Sequence, residues 1–365
     1  MNASLRRFPP LAAVLLLASA AFAQPLRVAP PPPMSGETAP IGPPVAQPPL
    51  PMPPPGTLTQ SSKATEARGT EPPPSRWQDA LNALDADLRL RLLIADSPPA
   101  AWLAGEMEKT DIASKVRHYT EARTAAPDER LYQATLATAC LVPTRPQLAA
   151  CEAMDRLADW ARRDLDNGVP DILLADRARQ RGELDEAASY VEEAAGAARF
   201  DDYWSQGAQA WWSYLRGLPL GVDPAVKAKA AANYASSRDL PWAPSLHALC
   251  TQQGTRVRTE RMIAACAKLG DAMVQRGATY ALRRAGAELA EVNAQNADAR
   301  ATARANRARI LEATMRCAQV QPDFATELES QTASVRERGV EQFGAWASEQ
   351  ARDGEVHACE RLAAK

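Results

Sequence analysis

Three histidines, His118, His247 and His357, supply the only imidazoles in 365 residues. None stands in the spacing of a metal protease, a zinc finger or a nucleophile elbow. His118 and His247 fall on helical stretches, where a hydrogen-bonded imidazole is the ordinary expectation. His357 and Cys359 are close enough to chelate a metal, but no second ligand pair is positioned beside them and an oxidised cysteine does not ligate. Neither a metal nor a cofactor is expected. The chain also lacks a glycine-rich phosphate loop, a G-x-S-x-G elbow and a C-x-x-C pair. Carboxylates are plentiful, as in Asp164 with Asp166 and Glu192 with Glu193, and adjacent acids on helices usually form solvated faces. The one catalytic chemistry left open is a general acid and base that the fold, rather than the sequence, brings together.

Two groups of side chains suit recognition better than catalysis. Phe200, Tyr203, Trp204, Trp211, Trp212, Tyr214, Tyr234 and Trp242 crowd one stretch of a chain otherwise sparse in aromatics. On a groove wall they would offer a peptide or glycan a large contact area at low entropic cost. Trp204, Ala208, Trp211 and Leu215 share the spacing of a helix core face, so an interhelix core is the favoured reading for most of the set. Trp211 and Trp212 are neighbours and leave the helix in different directions, which makes Trp212 the first choice for an exposed binding residue. The second group is the arginine row Arg300, Arg304 and Arg307, near Arg309. It suits an anionic envelope component such as a lipid head group or cell-wall polymer, against the blander reading of a solvated face.

The elements that must carry these residues are helical. Trp77, Leu81, Leu84, Leu88 and Leu92 recur at three- and four-residue steps behind a Ser75 cap. Similar stretches, broken by proline and glycine, follow at 100–108, 111–125, 128–141, 146–166, 170–181, 184–197, 204–216, 224–236 and 244–252, then at 257–275, 277–292, 296–319, 323–350 and 355–364. No stretch reads convincingly as a strand. Short helices joined by short turns make hairpins, and serial hairpins make a stacked array.

Met1–Ala23 reads as a secretory leader: Arg6 and Arg7 at the start, an apolar run from Leu11 to Ala20, and Ala21-Phe22-Ala23 before the cut. The run is about half the roughly 20 residues a membrane helix needs, so no stable span is expected after cleavage. Residues 24–74 are proline-rich and should remain a disordered spacer, leaving 75–365 as the folded helical domain. With 42 Lys+Arg against 44 Asp+Glu, the chain lacks the basic footprint of a nucleic-acid binder. An exported chain with six cysteines should oxidise them. Cys140 and Cys151 flank a turn containing Pro143 and Pro146 and should pair. Cys250 with Cys266 is harder to place, because about nine residues of helix, roughly 13 Å, separate Cys266 from the loop at Gly254. Cys317 with Cys359 follows by elimination.

In 170–196, Ala175, Gly182, Ala187 and Ala194 stand at spacings that resemble a tetratricopeptide helix pair, with Leu174, Leu184 and Val191 filling the gaps. Small residues let two helices approach closely, and Gly182 permits the turn between them. A looser similarity, to Sel1-like repeats, lies in Ala264-Ala265-Cys266-Ala267-Lys268-Leu269-Gly270 followed by Gly277. The tetratricopeptide resemblance implies an α-α superhelix with a concave groove for a peptide or partner protein. The expectation is therefore a periplasmic or secreted all-α protein that binds a protein or peptide around 170–242. Its rival is a cell-envelope enzyme acting on carbohydrate or peptide with a carboxylate acid/base pair.

Overall fold

Local cues end and start helices throughout the chain. The computed structural model describes residues 76–141, 148–152, 155–236, 240–251, 259–320 and 327–363. The expected leader, the proline-rich segment and the Ser75 cap lie outside them. The described residues hold sixteen helices: α1 (Arg76–Ile94), α2 (Pro98–Met107), α3 (Ile112–Ala125), α4 (Arg130–Ala139), α5 (Ala149–Glu152), α6 (Arg156–Arg163), α7 (Val169–Arg181), α8 (Leu184–Gly196), α9 (Trp204–Gly217), α10 (Pro224–Ser236), α11 (Trp242–Cys250), α12 (Glu260–Arg276), α13 (Tyr280–Val292), α14 (Ala297–Val320), α15 (Ala333–Asp353) and α16 (Glu355–Ala363). The protein is all-α, with isolated bridges but no strands among the described residues. The stretch expected as one helix at 146–166 is two, because the Asp155 side chain accepts from Ala158 N and starts α6 afresh. The stretch expected as one helix at 323–350 is interrupted: residues 327–328 are helical, and α15 starts afresh at Ala333 after a turn in which Ser330 Oγ accepts from Thr332 N.

Side-chain caps set several of the boundaries. Ser97 accepts from Ala100 N ahead of Pro98 and Pro99, whose missing N–H groups cost nothing in a first turn. Asp111, Thr259 and Thr279 cap α3, α12 and α13 in the same way. Gly182 ends α7 in the left-handed region, at φ 83°, a conformation glycine adopts without a Cβ clash. Beyond it α8 folds back on α7, and Ala175, Ala187, Val191 and Ala194 are fully buried at 0 % exposure, whereas Leu184 is only half-buried.

Sequence neighbours pack as pairs, α2 with α3, α7 with α8, α9 with α10 and α12 with α13, and α14 adds to α13. Longer-range contacts join the pairs: α8 lies on α12, α7 on α11, and α9 and α10 both lie on α15. The α12–α13 contact is close because Gly270 and Gly286 face each other: a Cβ on Gly270 would lie 2.7 Å from Gly286 O, and one on Gly286 2.7 Å from Gly270 O. Inter-helix segments run side by side and exchange backbone bonds. Gly168 N donates to Arg199 O at 2.9 Å, Phe200 N to Arg276 O at 3.2 Å, and Ala278 N to Phe200 O at 2.9 Å. These bonds satisfy loop backbone that burial would otherwise leave unpaired.

All three disulfides form: Cys140–Cys151, Cys250–Cys266 and Cys317–Cys359, with Cα separations of 5.5, 5.6 and 5.3 Å. The helical offset expected to separate Cys250 from Cys266 does not do so, because α12 starts at Glu260 and packs against α11. No described helix is long and apolar enough to cross a membrane.

Candidate functional site

The aromatic stretch forms core, the reading favoured for most of the set, and the buried side chains include Trp212, the residue expected to be exposed for binding. Tyr203, Trp211, Trp212 and Trp242 are only 4, 1, 2 and 0 % exposed, and Trp204 is half-buried. Trp211 and Trp212 do leave α9 in different directions, but α9 has neighbours on both sides. Trp211 stacks on Tyr234 of α10 at 4.1 Å between ring centroids, and Trp212 meets Phe343 of α15 edge-on at 5.4 Å. Periodicity along one helix shows where a side chain points; it cannot show that a helix more than a hundred residues later will cover it.

The arginine row is also largely committed. Arg304 Nε donates to Glu291 Oε1 at 2.7 Å, and Arg307 lies 3.5 Å from Glu291 and 3.6 Å from Glu288. The bond from Arg304 is the main reason the Glu291 carboxyl lies below its usual range. Arg300 is exposed near the start of α14. The expected arginine patch is therefore mostly a set of surface ion pairs between consecutive helices.

A buried polar hub occupies the loops before α7 and α9. Asp164, fully buried, accepts from Trp160 Nε1 at 3.1 Å, Asn167 Nδ2 at 2.8 Å, Tyr203 OH at 2.6 Å and Arg199 Nη2 at 2.5 Å. Tyr203 holds a left-handed conformation, φ 59°, that a non-glycine residue adopts at a cost when its surroundings impose it. Here the imposing contacts are internal: Tyr203 N donates to Asp201 Oδ1 at 2.8 Å and its hydroxyl to Asp164. Burial pushes the Asp201 carboxyl up to about 6. Close by, Trp242 Nε1 donates to Asp202 Oδ2 at 2.8 Å. Every named group in this hub bonds to another part of the protein, so it fastens helices rather than facing a ligand.

An open cleft lies elsewhere, between α12, α13, α14 and α16. There a cleft of about 550 Å³ is lined by Asp271, Val274 and Gln275 of α12, Tyr280 and Arg283 of α13, Asn306 through Cys317 on one face of α14, and Val356, Cys359 and Glu360 of α16. That size falls within the range of small-ligand pockets. Its floor is a satellite apolar cluster built from Tyr280, Ile310, Val356 and the Cys317–Cys359 bridge. Arg283, Arg309 and Arg316 project around it with Asp271 and Glu360. Arg316 bonds Glu312 on its own helix and Arg309 bonds Asn306. Arg283 Nε donates to Gly277 O at 2.9 Å; neither Arg283 nor Arg309 makes an ion pair among the described residues, although the Glu360 charge acts on Arg283. Burial lowers the Arg283 pKa, the mark of a cation partly removed from water, and desolvation raises that of the Asp271 carboxyl.

Sequence reasoning singled out neither Arg283 nor Arg316, and named Arg309 only as a neighbour of the row. One signal was available: Asn306, Arg309, Ile310, Ala313, Arg316 and Cys317 share a face of α14 at helical spacing, basic along its edges and apolar in the middle. No family model matches the chain, and neither does any curated protein or solved structure.

Proposed function

We propose that the protein is an exported binding module that holds a protein or peptide partner in the arginine cleft between α12, α13, α14 and α16. The observation that carries this reading is Arg283: a guanidinium partly withdrawn from water, lining a cleft, with the Glu360 charge acting on it but no carboxylate within 4 Å among the described residues. Arginine does not neutralise itself by losing a proton, so a partner's carboxylate is the natural way to offset the cost of its desolvation. The leader at Met1–Ala23 and the three disulfides support an oxidising compartment outside the cytosol, periplasmic or secreted. The likeness of α7 and α8 to a tetratricopeptide pair supports partner binding as the mode of action.

The rival enzyme reading rests on Asp271 and Glu360, the two carboxylates that line this cleft; desolvation raises Asp271, and Glu360 Oε2 lies 3.2 Å from His357 Nδ1. Asp171, Asp201 and Glu355, which burial pushes up to about 6, 6 and 7, do not line the cleft. Asp201 and Glu355 accept instead from the backbone N–H groups of Tyr203 and Tyr280. A photo-crosslinking residue at Asn306, in oxidised full-length protein incubated with envelope extract, should trap a discrete peptide or protein. The same group at Leu93, exposed on α1, should not. Equal capture at both positions, or adducts of sugars alone at Asn306, would overturn the reading.

A further inference from the structure

Resting on that reading, the geometry points to the chemistry of the partner: we infer that the cleft takes the carboxyl end of a peptide whose last residue is apolar, with Arg283 as its anchor. The bond from Arg283 Nε to Gly277 O, at 2.9 Å, ties the inner edge of the guanidinium to the α12–α13 turn. Nη1 and Nη2 remain as a two-pronged donor with no acceptor among the described residues. A carboxylate matches such a fork with two parallel bonds. Around the fork, Val274, Ile310 and Val356 supply an apolar floor. A terminal residue carries its carboxylate and its side chain on one α-carbon, so one residue can satisfy fork and floor together. An internal aspartate or glutamate spends its side chain on the fork and leaves the floor to its neighbours.

Charge balance argues against a polyanion. Asp271 and Glu360 share the cleft with the three arginines and would repel a second negative group, yet both can accept N–H groups from a peptide backbone. A simple acyl carboxylate has no N–H to give them. The mixed lining therefore favours a ligand with one carboxylate and adjacent backbone donors.

The test is calorimetric titration of the oxidised full-length protein with N-acetyl-Gly-Ala-Ala-Leu bearing a free carboxylate, with its C-terminal amide, and with octanoate. The free acid should bind saturably, and amidation should weaken it by about 10- to 100-fold, the value of charge-assisted bonds. Arg283→Gln should cause a loss of the same order without a lower melting midpoint. Arg283→Lys should recover only part, because an ammonium cannot reproduce the fork. Because amidation is read on the unmodified protein, the result does not depend on the variants folding. Equal binding of acid and amide would overturn the anchor, and octanoate binding as tightly as the free acid would overturn the peptide assignment. Capture of a partner at Asn306 without any tetrapeptide binding would refute this inference and leave the proposed function standing; loss of both would refute both.

Discussion

Replacing Glu355 by glutamine should make the protein more stable at pH 8 and leave it nearly unchanged at pH 4. Glu355 opens α16, is 8 % exposed, and its Oε2 accepts from Tyr280 N, in the first turn of α13, at 2.9 Å. Burial pushes its carboxyl up, the Tyr280 N–H pulls it down, and the Asp202 charge adds to the rise, leaving it at about 7 against an ordinary value of 4.5. The folded state thus holds this proton more tightly than the unfolded one. The resulting stability is fully present below about pH 4.5 and is lost as pH rises through 7. A difference of this size corresponds to about 3 kcal/mol at roughly 1.4 kcal/mol per unit. A carboxylate at a helix N-terminus recovers only about 0.3–1 kcal/mol, so desolvation wins and the ionised residue is a net cost. Glutamine keeps an acceptor for Tyr280 N and carries no charge. Urea unfolding of the oxidised protein should therefore show the parent losing stability between pH 4.5 and 8 by about 3 kcal/mol more than Glu355→Gln does. If the two stability profiles run parallel, or if the glutamine variant is the weaker at pH 8, the carboxylate is acting as a favourable cap and the desolvation argument is wrong.

Trp212→Ala should destabilise by about 3–5 kcal/mol in chemical denaturation, because it empties the contact with Phe343 between α9 and α15; an unaltered midpoint would return Trp212 to the surface. Gly270→Ala places a Cβ 2.6 Å from Ala290 N and should force α12 and α13 apart at a cost of about 1–3 kcal/mol, visible in the melting midpoint. Asp164→Ala should lose about 3–5 kcal/mol by leaving Arg199 short of its most buried counter-charge, whereas Asp166→Ala, at the exposed rim, should lose less than about 1 kcal/mol. Mass spectrometry of exported protein should find Gln24 at the amino terminus; Met1 retained on exported material would remove the leader from the account.

Most helix positions were legible in the sequence because their determinants are local. The stripe of Leu84, Leu88 and Leu92 and the turn at Gly182 act within a few residues, and the caps the structure shows at Ser97, Asp111 and Thr279 only adjust the expected helix starts. Cys140 with Cys151 was legible for the same reason, since a short turn leaves little choice of partner. The candidate site was not. Whether Trp212 meets solvent depends on Phe343, 131 positions later, and whether Arg304 and Arg307 are available depends on Glu288 and Glu291. Arg283 carries no distinguishing pattern, and it gains its part only because α14 and α16 stand around it to enclose a cleft. Local chemistry decides which residues are helical and which way each side chain leaves its axis. Packing between distant segments decides whether that direction ends in a core, in an ion pair or in an open cleft, because burial and charge compensation belong to pairs of surfaces and neither partner encodes them alone.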